Sequence, residues 1–235
     1  RITKMSKLVE ETEKYVSAIF KEHITDGFVY HGLDHTELVV KACIQLANEV
    51  ELSTDESETL ILAAWLHDIG FNKGAEGHEA RSEELAKAFF AKSMVSPEKV
   101  QEICLCIQGT KMPQSPKTKL AMLLCDADLS ALGSTNYFEQ SKKLLEEWKN
   151  IHGRSKTPRE WLKMEIEFTS NHSYFTDAAN KLYGKQKQKN IAKLKKMLED
   201  LPENISFEPK DTSASKPKKK KKKKKKEVGY SRGVE

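Results

Sequence analysis

The chain has 235 residues, 38% of them hydrophobic, and a formal net charge of +5, which is enough apolar material for the core of one large domain. Residues 211–235 hold eleven Lys or Arg against three Asp or Glu, so the remainder is mildly acidic and argues against a body built to bind nucleic acid by sequence. No apolar run approaches the roughly 18 residues of a membrane-spanning helix. Cys43, Cys104, Cys106 and Cys125 lack paired spacing and read as buried thiols of a cytoplasmic protein.

Leu8, Val9, Thr12, Tyr15, Val16, Ile19 and Phe20 recur at helical spacing and predict an amphipathic helix over residues 6–22. A connector through Gly27, Tyr30, His31 and Gly32 leads to a second helix from Asp34 to about residue 50, with Asp34 as N-cap and His35 in the first turn. Ser53-Thr54-Asp55-Glu56 fits a capping box. It opens an apolar helix that runs through Ile61-Leu62-Ala63-Ala64-Trp65-Leu66 and ends at His67-Asp68-Ile69-Gly70. Gly74 and Gly77 mark a loop before a helix from His78 to about Ser93. Ser96-Pro97 starts the next, to about Gln108. Pro113 and Pro116 forbid a regular element across residues 111–117. The run Leu120–Cys125 keeps helical periodicity through Leu132 and predicts a buried helix ending at Gly133. Three helices complete the reading: Asn136 to His152, Thr157-Pro158 to about Asn171, and Thr176 to about Leu201.

No segment alternates with the period of a strand, so the expected fold is all-α, a single domain over residues 6–201. From Pro202 the composition shifts to Pro, Ser, Lys and Glu, and Lys218–Lys226 is an unbroken lysine run. Residues 202–235 are expected to form a disordered basic tail, of a kind that touches anionic lipid or nucleic acid without reading sequence.

His35, the adjacent His67-Asp68, and Asp126 at the close of an apolar run are the residues that suggest chemistry. Consecutive helical residues point about 100° apart. His67 and Asp68 can therefore share one ion only near a helix end, and Gly70 supplies that end. Imidazole and carboxylate suit a divalent ion, and the set does not separate Mn, Mg, Fe, Ni and Zn. Burying a histidine beside an aspartate without partners is costly, which favours a site over a coincidence.

The order His, then His-Asp, then Asp resembles the HD superfamily of metal-dependent phosphohydrolases. The resemblance spans roughly residues 10–200. It rests on Tyr30-His31-Gly32-Leu33-Asp34-His35-Thr36-Glu37, on Ala63-Ala64-Trp65-Leu66-His67-Asp68-Ile69-Gly70, and on Leu123-Leu124-Cys125-Asp126-Ala127-Asp128-Leu129. It implies a helical bundle in which His35, His67, Asp68 and Asp126 bind one divalent ion. Asp126 is preferred because it directly follows the buried run, and Asp128, facing another way, would be a neighbouring partner.

Such an ion polarises a phosphoryl oxygen and activates water. The expected activity is hydrolysis of a nucleotide, a cyclic nucleotide or another small phosphorylated metabolite. Asp68, His78 and Glu79 are the candidate catalytic residues, and Lys73, Arg81 and His31 the candidate substrate-binding ones. Ile69-Gly70-Phe71-Asn72 lacks the acidic pair that relatives acting on guanosine tetraphosphate carry there, and the chain lacks the Gly-Tyr-Pro element of the cyclic-dinucleotide branch. A second reading is a metal- and nucleotide-binding sensor module, similar to parts of some bacterial nucleotide-signalling defence proteins. In that reading the basic C-terminal end would approach a membrane.

Overall fold

The computed structural model describes residues 6–23 and 27–202, so the lysine run and the expected tail from residue 203 lie outside the described residues. Among the described residues every regular element is helical. They are α1 (Lys7–His23), α2 (Leu33–Glu49), α3 (Thr54–Leu66), α4 (His78–Phe90), α5 (Pro97–Gly109), α6 (Lys119–Asp128), α7 (Tyr137–His152), α8 (Pro158–Asn171), α9 (Asp177–Ala179) and α10 (Lys185–Glu199). Two 3₁₀ turns, Ile69–Lys73 and Ser130–Gly133, follow α3 and α6. No described helix is long and apolar enough to cross a membrane.

The sequence dictates α3 at both ends. Ser53 Oγ accepts from the Glu56 N–H at 3.2 Å while Glu56 Oε2 accepts from the Ser53 N–H at 2.9 Å, satisfying two of the donors that a helix start leaves open. Beyond the first turn α3 is apolar on all sides, the pattern of a helix enclosed by others. Leu60, Leu62, Ala63, Ala64 and Leu66 are wholly buried, and α1, α2, α5 and α6 pack around them. The four cysteines are buried free thiols in and beside this core. A smaller cluster of Leu132, Tyr137, Leu162 and Leu194 joins α7, α8 and α10.

Four boundaries differ from expectation, the first being α6, which ends at Asp128 with a separate 3₁₀ turn carrying the chain on to Gly133. Helix α2 begins at Leu33 with Gly32 in the cap position and no side-chain cap; Asp34 sits in the first turn and receives Lys143 Nζ at 3.2 Å instead. Helix α4 stops at Phe90, short of Ser93. The last predicted helix is broken by a π-helical turn, Asn180–Gly184. Gly133 packs there: a Cβ at this position would lie 2.5 Å from Tyr183 Cβ and from its carbonyl oxygen. Only glycine allows that approach.

Candidate metal centre

Three elements converge where α3 ends. His35 projects from the first turn of α2, His67 and Asp68 follow the last residue of α3, and Asp128 closes α6. His35, His67 and Asp68 are at most 4% exposed. The chain turns at Gly70 because the following 3₁₀ turn lies directly on α4. A Cβ on Gly70 would collide with the His78 carbonyl and come within 2.8 Å of the Ser82 nitrogen. The Gly70 N–H donates to Ser82 Oγ at 2.9 Å. This packing carries His78, the first residue of α4, to the side of Asp68.

His35 Nε2 lies 3.1 Å from Asp128 Oδ1 and 3.6 Å from Asp68 Oδ2. His67 Nε2 lies 3.2 Å from Asp68 Oδ2 and 3.6 Å from Asp128 Oδ1. Atoms that share one ion at about 2.1 Å stand roughly 3 to 3.5 Å apart; two of these pairs, at 3.1 and 3.2 Å, lie in that range and two, at 3.6 Å, just outside it. His67 Nδ1 donates to the Ala64 carbonyl at 2.8 Å, which fixes the tautomer and leaves Nε2 as a bare lone pair. Both His67 Nε2 and Asp68 Oδ2 are buried without a hydrogen-bond partner. Two lone pairs facing each other in a buried site repel unless a cation or a proton lies between them. The residues therefore fit a divalent metal, and His35, His67 and Asp128 offer ligand atoms within 4.8 Å of one another.

Electrostatics point the same way. Burial disfavours charge on His67, but the Asp68 and Asp128 carboxylates outweigh it and lift its pKa well above the ordinary value. Burial likewise opposes charge on Asp68 and Asp128. The surrounding imidazoles, His67 and His78 for Asp68 and His35 and His67 for Asp128, nonetheless hold both well below the usual carboxylate range. The centre is a negative focus prepared for a cation.

Residues 32–131 match the family model of the HD domain. This segment is an HD domain. The fold of the chain is similar to the crystal structure of a predicted HD superfamily hydrolase from an uncultured Thermotogales bacterium. The two chains are 18% identical, the TM-score is 0.56, and the match covers 81% of this chain and 91% of that one. No match was found among curated proteins.

Within the HD domain one expected ligand is replaced. Asp126 and Asp128 do face different ways, but it is Asp128 that joins the histidines. Asp126 is wholly buried and turns to the start of α9. There it accepts from the Phe175 N–H at 2.7 Å, the Thr176 N–H at 2.9 Å and Thr176 Oγ1 at 2.7 Å. These bonds aim the Asp126 carboxylate at the α9 connection, and it is not part of the His35, His67 and Asp128 cluster.

A cavity of about 280 Å³ opens beside the centre. His31, Asp68, His78, Glu79 and Asp128 line it, and α7 and α8, outside the matched segment, contribute Tyr137, Gln140, Ser141, Leu144, Glu165 and Phe168. His78 Nδ1 donates to the Ala75 carbonyl at 2.9 Å, and its Nε2 lies 3.4 Å from Asp68 Oδ1. Glu79 Oε2 is 3.6 Å from His78 Nδ1.

His31 is held by a residue that no local pattern suggested. Buried Glu147, on α7, accepts from the Tyr30 and His31 N–H groups at 2.8 and 2.9 Å and from His31 Nδ1. The His31 ring stacks on Phe71 with centroids 4.4 Å apart. Burial would lower its pKa, but the Glu147 hydrogen bond and the Asp68 and Asp128 charges raise it.

The two expected phosphate-binding cations are not brought to the cavity. Lys73 is exposed at the end of its 3₁₀ turn and is not among the lining residues. Arg81 is consumed in tying down the preceding loop: Nε donates to the Gly70 carbonyl at 2.9 Å, Nη1 to Glu76 and Nη2 to Gly74. A guanidinium engaged on three backbone carbonyls is a fastener of the loop.

Proposed function

We propose that the protein is a metal-dependent phosphohydrolase that cleaves a phosphoric ester of a small metabolite, a nucleotide by class. The observation that carries this reading is the pair of orphaned lone pairs, His67 Nε2 and Asp68 Oδ2, with His35 and Asp128 beside them at the edge of a ligand-sized cavity. His35, His67, Asp68 and Asp128 would hold a divalent ion, which, when bound, supplies charge for the phosphoryl oxygens and lowers the pKa of water.

The remaining steps belong to side chains of this chain. His78 presents an Nε2 lone pair, since its Nδ1 proton is given to Ala75, so it can take the proton of an attacking water, with Asp68 at 3.4 Å to stabilise the resulting imidazolium. Glu79, which lines the cavity beside His78, orients that water. His31, kept protonated toward higher pH by Glu147, delivers a proton to the leaving oxygen. Support for two separate proton-transfer groups comes from their different partners: a backbone carbonyl leaves His78 a base, and a carboxylate makes His31 an acid.

The test is chromatographic detection of hydrolysis products (nucleoside, shortened or ring-opened nucleotide, or phosphate) from nucleoside mono-, di-, tri- and cyclic phosphates with added Mn²⁺, comparing wild type with a His67→Ala, Asp68→Ala double variant. Release by the wild type alone is expected. Silence of the wild type across the panel would overturn the reading.

A further inference from the structure

Helix α10 carries a charge pattern that no other described helix shares. Between Lys185 and Lys196 the sequence places six lysines and no acid. Lys187 is buried, its ammonium given to the His172 carbonyl, whereas Lys185, Lys189, Lys193, Lys195 and Lys196 are exposed. Helical residues three and four apart lie one above the other. Lys185, Lys189, Lys193 and Lys196 therefore form one row, about 16 Å long at a rise of about 1.5 Å per residue, on the side turned away from buried Ile191 and Leu194. Among the described residues none of the five exposed ammonium groups lies within 4.0 Å of a carboxylate, and Lys193 rests instead on the Phe138 ring, 4.3 Å from its centroid. Like charges one turn apart destabilise a helix. Elsewhere the protein answers such lysines with acids, Lys7 with Glu11, Lys41 with Glu37 and Lys87 with Glu83. On α10 the charge is left unopposed and is available to an anionic partner.

The make-up of the face says which partner. Its cations are all lysines, point charges without the fork by which arginine reads phosphates and base edges. No aromatic residue of α10 is present on which a base could stack. At the two ends of the row Leu182 and Met197 are 39% and 40% exposed. Apolar side chains gain nothing against a phosphodiester backbone, but they enter the headgroup layer of a bilayer. We infer that α10 is the face by which the protein docks on a bilayer rich in anionic lipid, with the lysines on the headgroup charges and Leu182 and Met197 between the headgroups. Each lysine near such a surface strengthens partitioning about fivefold, and the run Lys218–Lys226 adds charge of the same sign. Because α10 is fastened to the fold, Asn190 Nδ2 donating to the Leu132 and Ser134 carbonyls at 2.9 Å, docking through it gives the domain one orientation. The face shares no residue with the cavity and is independent of the phosphohydrolase reading.

The experiment measures partitioning of the full chain onto vesicles of phosphatidylcholine and of an equimolar phosphatidylcholine and phosphatidylserine mixture, by cosedimentation at physiological ionic strength. Wild type is compared with a variant combining Lys185→Gln, Lys189→Gln, Lys193→Gln and Lys196→Gln. A control combines Lys14→Gln, Lys21→Gln, Lys41→Gln and Lys92→Gln, exposed positions in α1, in α2 and just after α4, and so loses the same charge elsewhere. Wild type should bind the mixed vesicles and leave the neutral ones. The α10 variant should bind the mixed vesicles at least about thirtyfold more weakly, and the control within about threefold of wild type, since charges beyond about 8 Å from the surface are screened. Equal weakening of the two variants overturns the proposal, because it assigns binding to net charge. So does an α10 variant that binds like wild type. A wild type that ignores the anionic vesicles also overturns it and needs no variant to fold. A DNA duplex is titrated as the rival polyanion at equal concentration of negative charge. Tighter binding of the duplex than of the vesicles, lost in the α10 variant but kept in the control, would overturn the bilayer assignment and give the face to nucleic acid.

Discussion

His67 Nε2 and Asp68 Oδ2 stand 3.2 Å apart with no hydrogen-bond partner for either, and this contact between neighbours in sequence organises the site. Adjacent helical residues diverge, so bringing both to one point requires α3 to end at Leu66 and the chain to fold back at Gly70. The packing of Gly70 against His78 and Ser82 enforces that turn. A side chain at residue 70 would push α4 away and take His78 with it.

The exchange of roles between Asp126 and Asp128 separates stability from metal binding. Asp126→Asn would weaken the acceptor for three donors at the start of α9. Hydrogen bonds to a charged group contribute about 1.5–3 kcal/mol each, and part of the set survives in the amide, so a loss of about 2 kcal/mol is expected. For a domain of this size that lowers Tm by about 4–8 °C. Calorimetric melting measures it, and the variant should still bind the ion.

Glu147 acts through His31. Removing its charge in Glu147→Gln leaves the His31 ring with burial lowering its pKa and less carboxylate charge raising it. The protonated form then disappears at lower pH, so the alkaline limb of the kcat/KM profile should move toward acid. NMR titration of the His31 ring would show the same displacement. An unmoved limb would mean that the leaving-group proton comes from elsewhere.

His172 makes the fold sensitive to acid. Neither ring nitrogen has a hydrogen-bond partner, and burial, with Lys187 nearby, pushes its pKa down to about 4 from an ordinary 6.5. An unfolded chain takes up the proton first as pH falls, so the group's contribution is full above pH 6.5 and is lost progressively toward pH 4. The fall in Tm between these limits should be shallower in His172→Gln, which carries no titrating ring. Parallel curves for the two proteins would contradict this.

Much of the scaffold was legible because its causes are local. The Ser53 capping box and the prolines at the starts of α5 and α8 act within four residues, and the all-round apolar character of α3 announces that other helices enclose it. That His35, His67 and Asp68 would come together was legible for the same reason: they sit at helix ends beside apolar runs. Asp126 was placed with the histidines because following the apolar run marks depth, but the deepest carboxylate serves the α9 connection and it is Asp128, two residues on, that lies beside His35 and His67. Lys73 and Arg81 were misread because closeness in sequence to the His-Asp pair does not reveal that backbone carbonyls of the loop claim the guanidinium. Glu147 and Glu165 carried no signal. The first meets His31 across 116 residues, and the second lines a cavity whose wall α7 and α8 complete.

The most direct test of the centre is a Mn²⁺ titration followed by EPR on wild type, His67→Ala and Asp128→Asn, with Asp126→Asn beside them. The account predicts saturable binding by wild type and by Asp126→Asn, and binding at least about tenfold weaker when either His67 or Asp128 is changed. Binding lost in Asp126→Asn but retained in Asp128→Asn would contradict it.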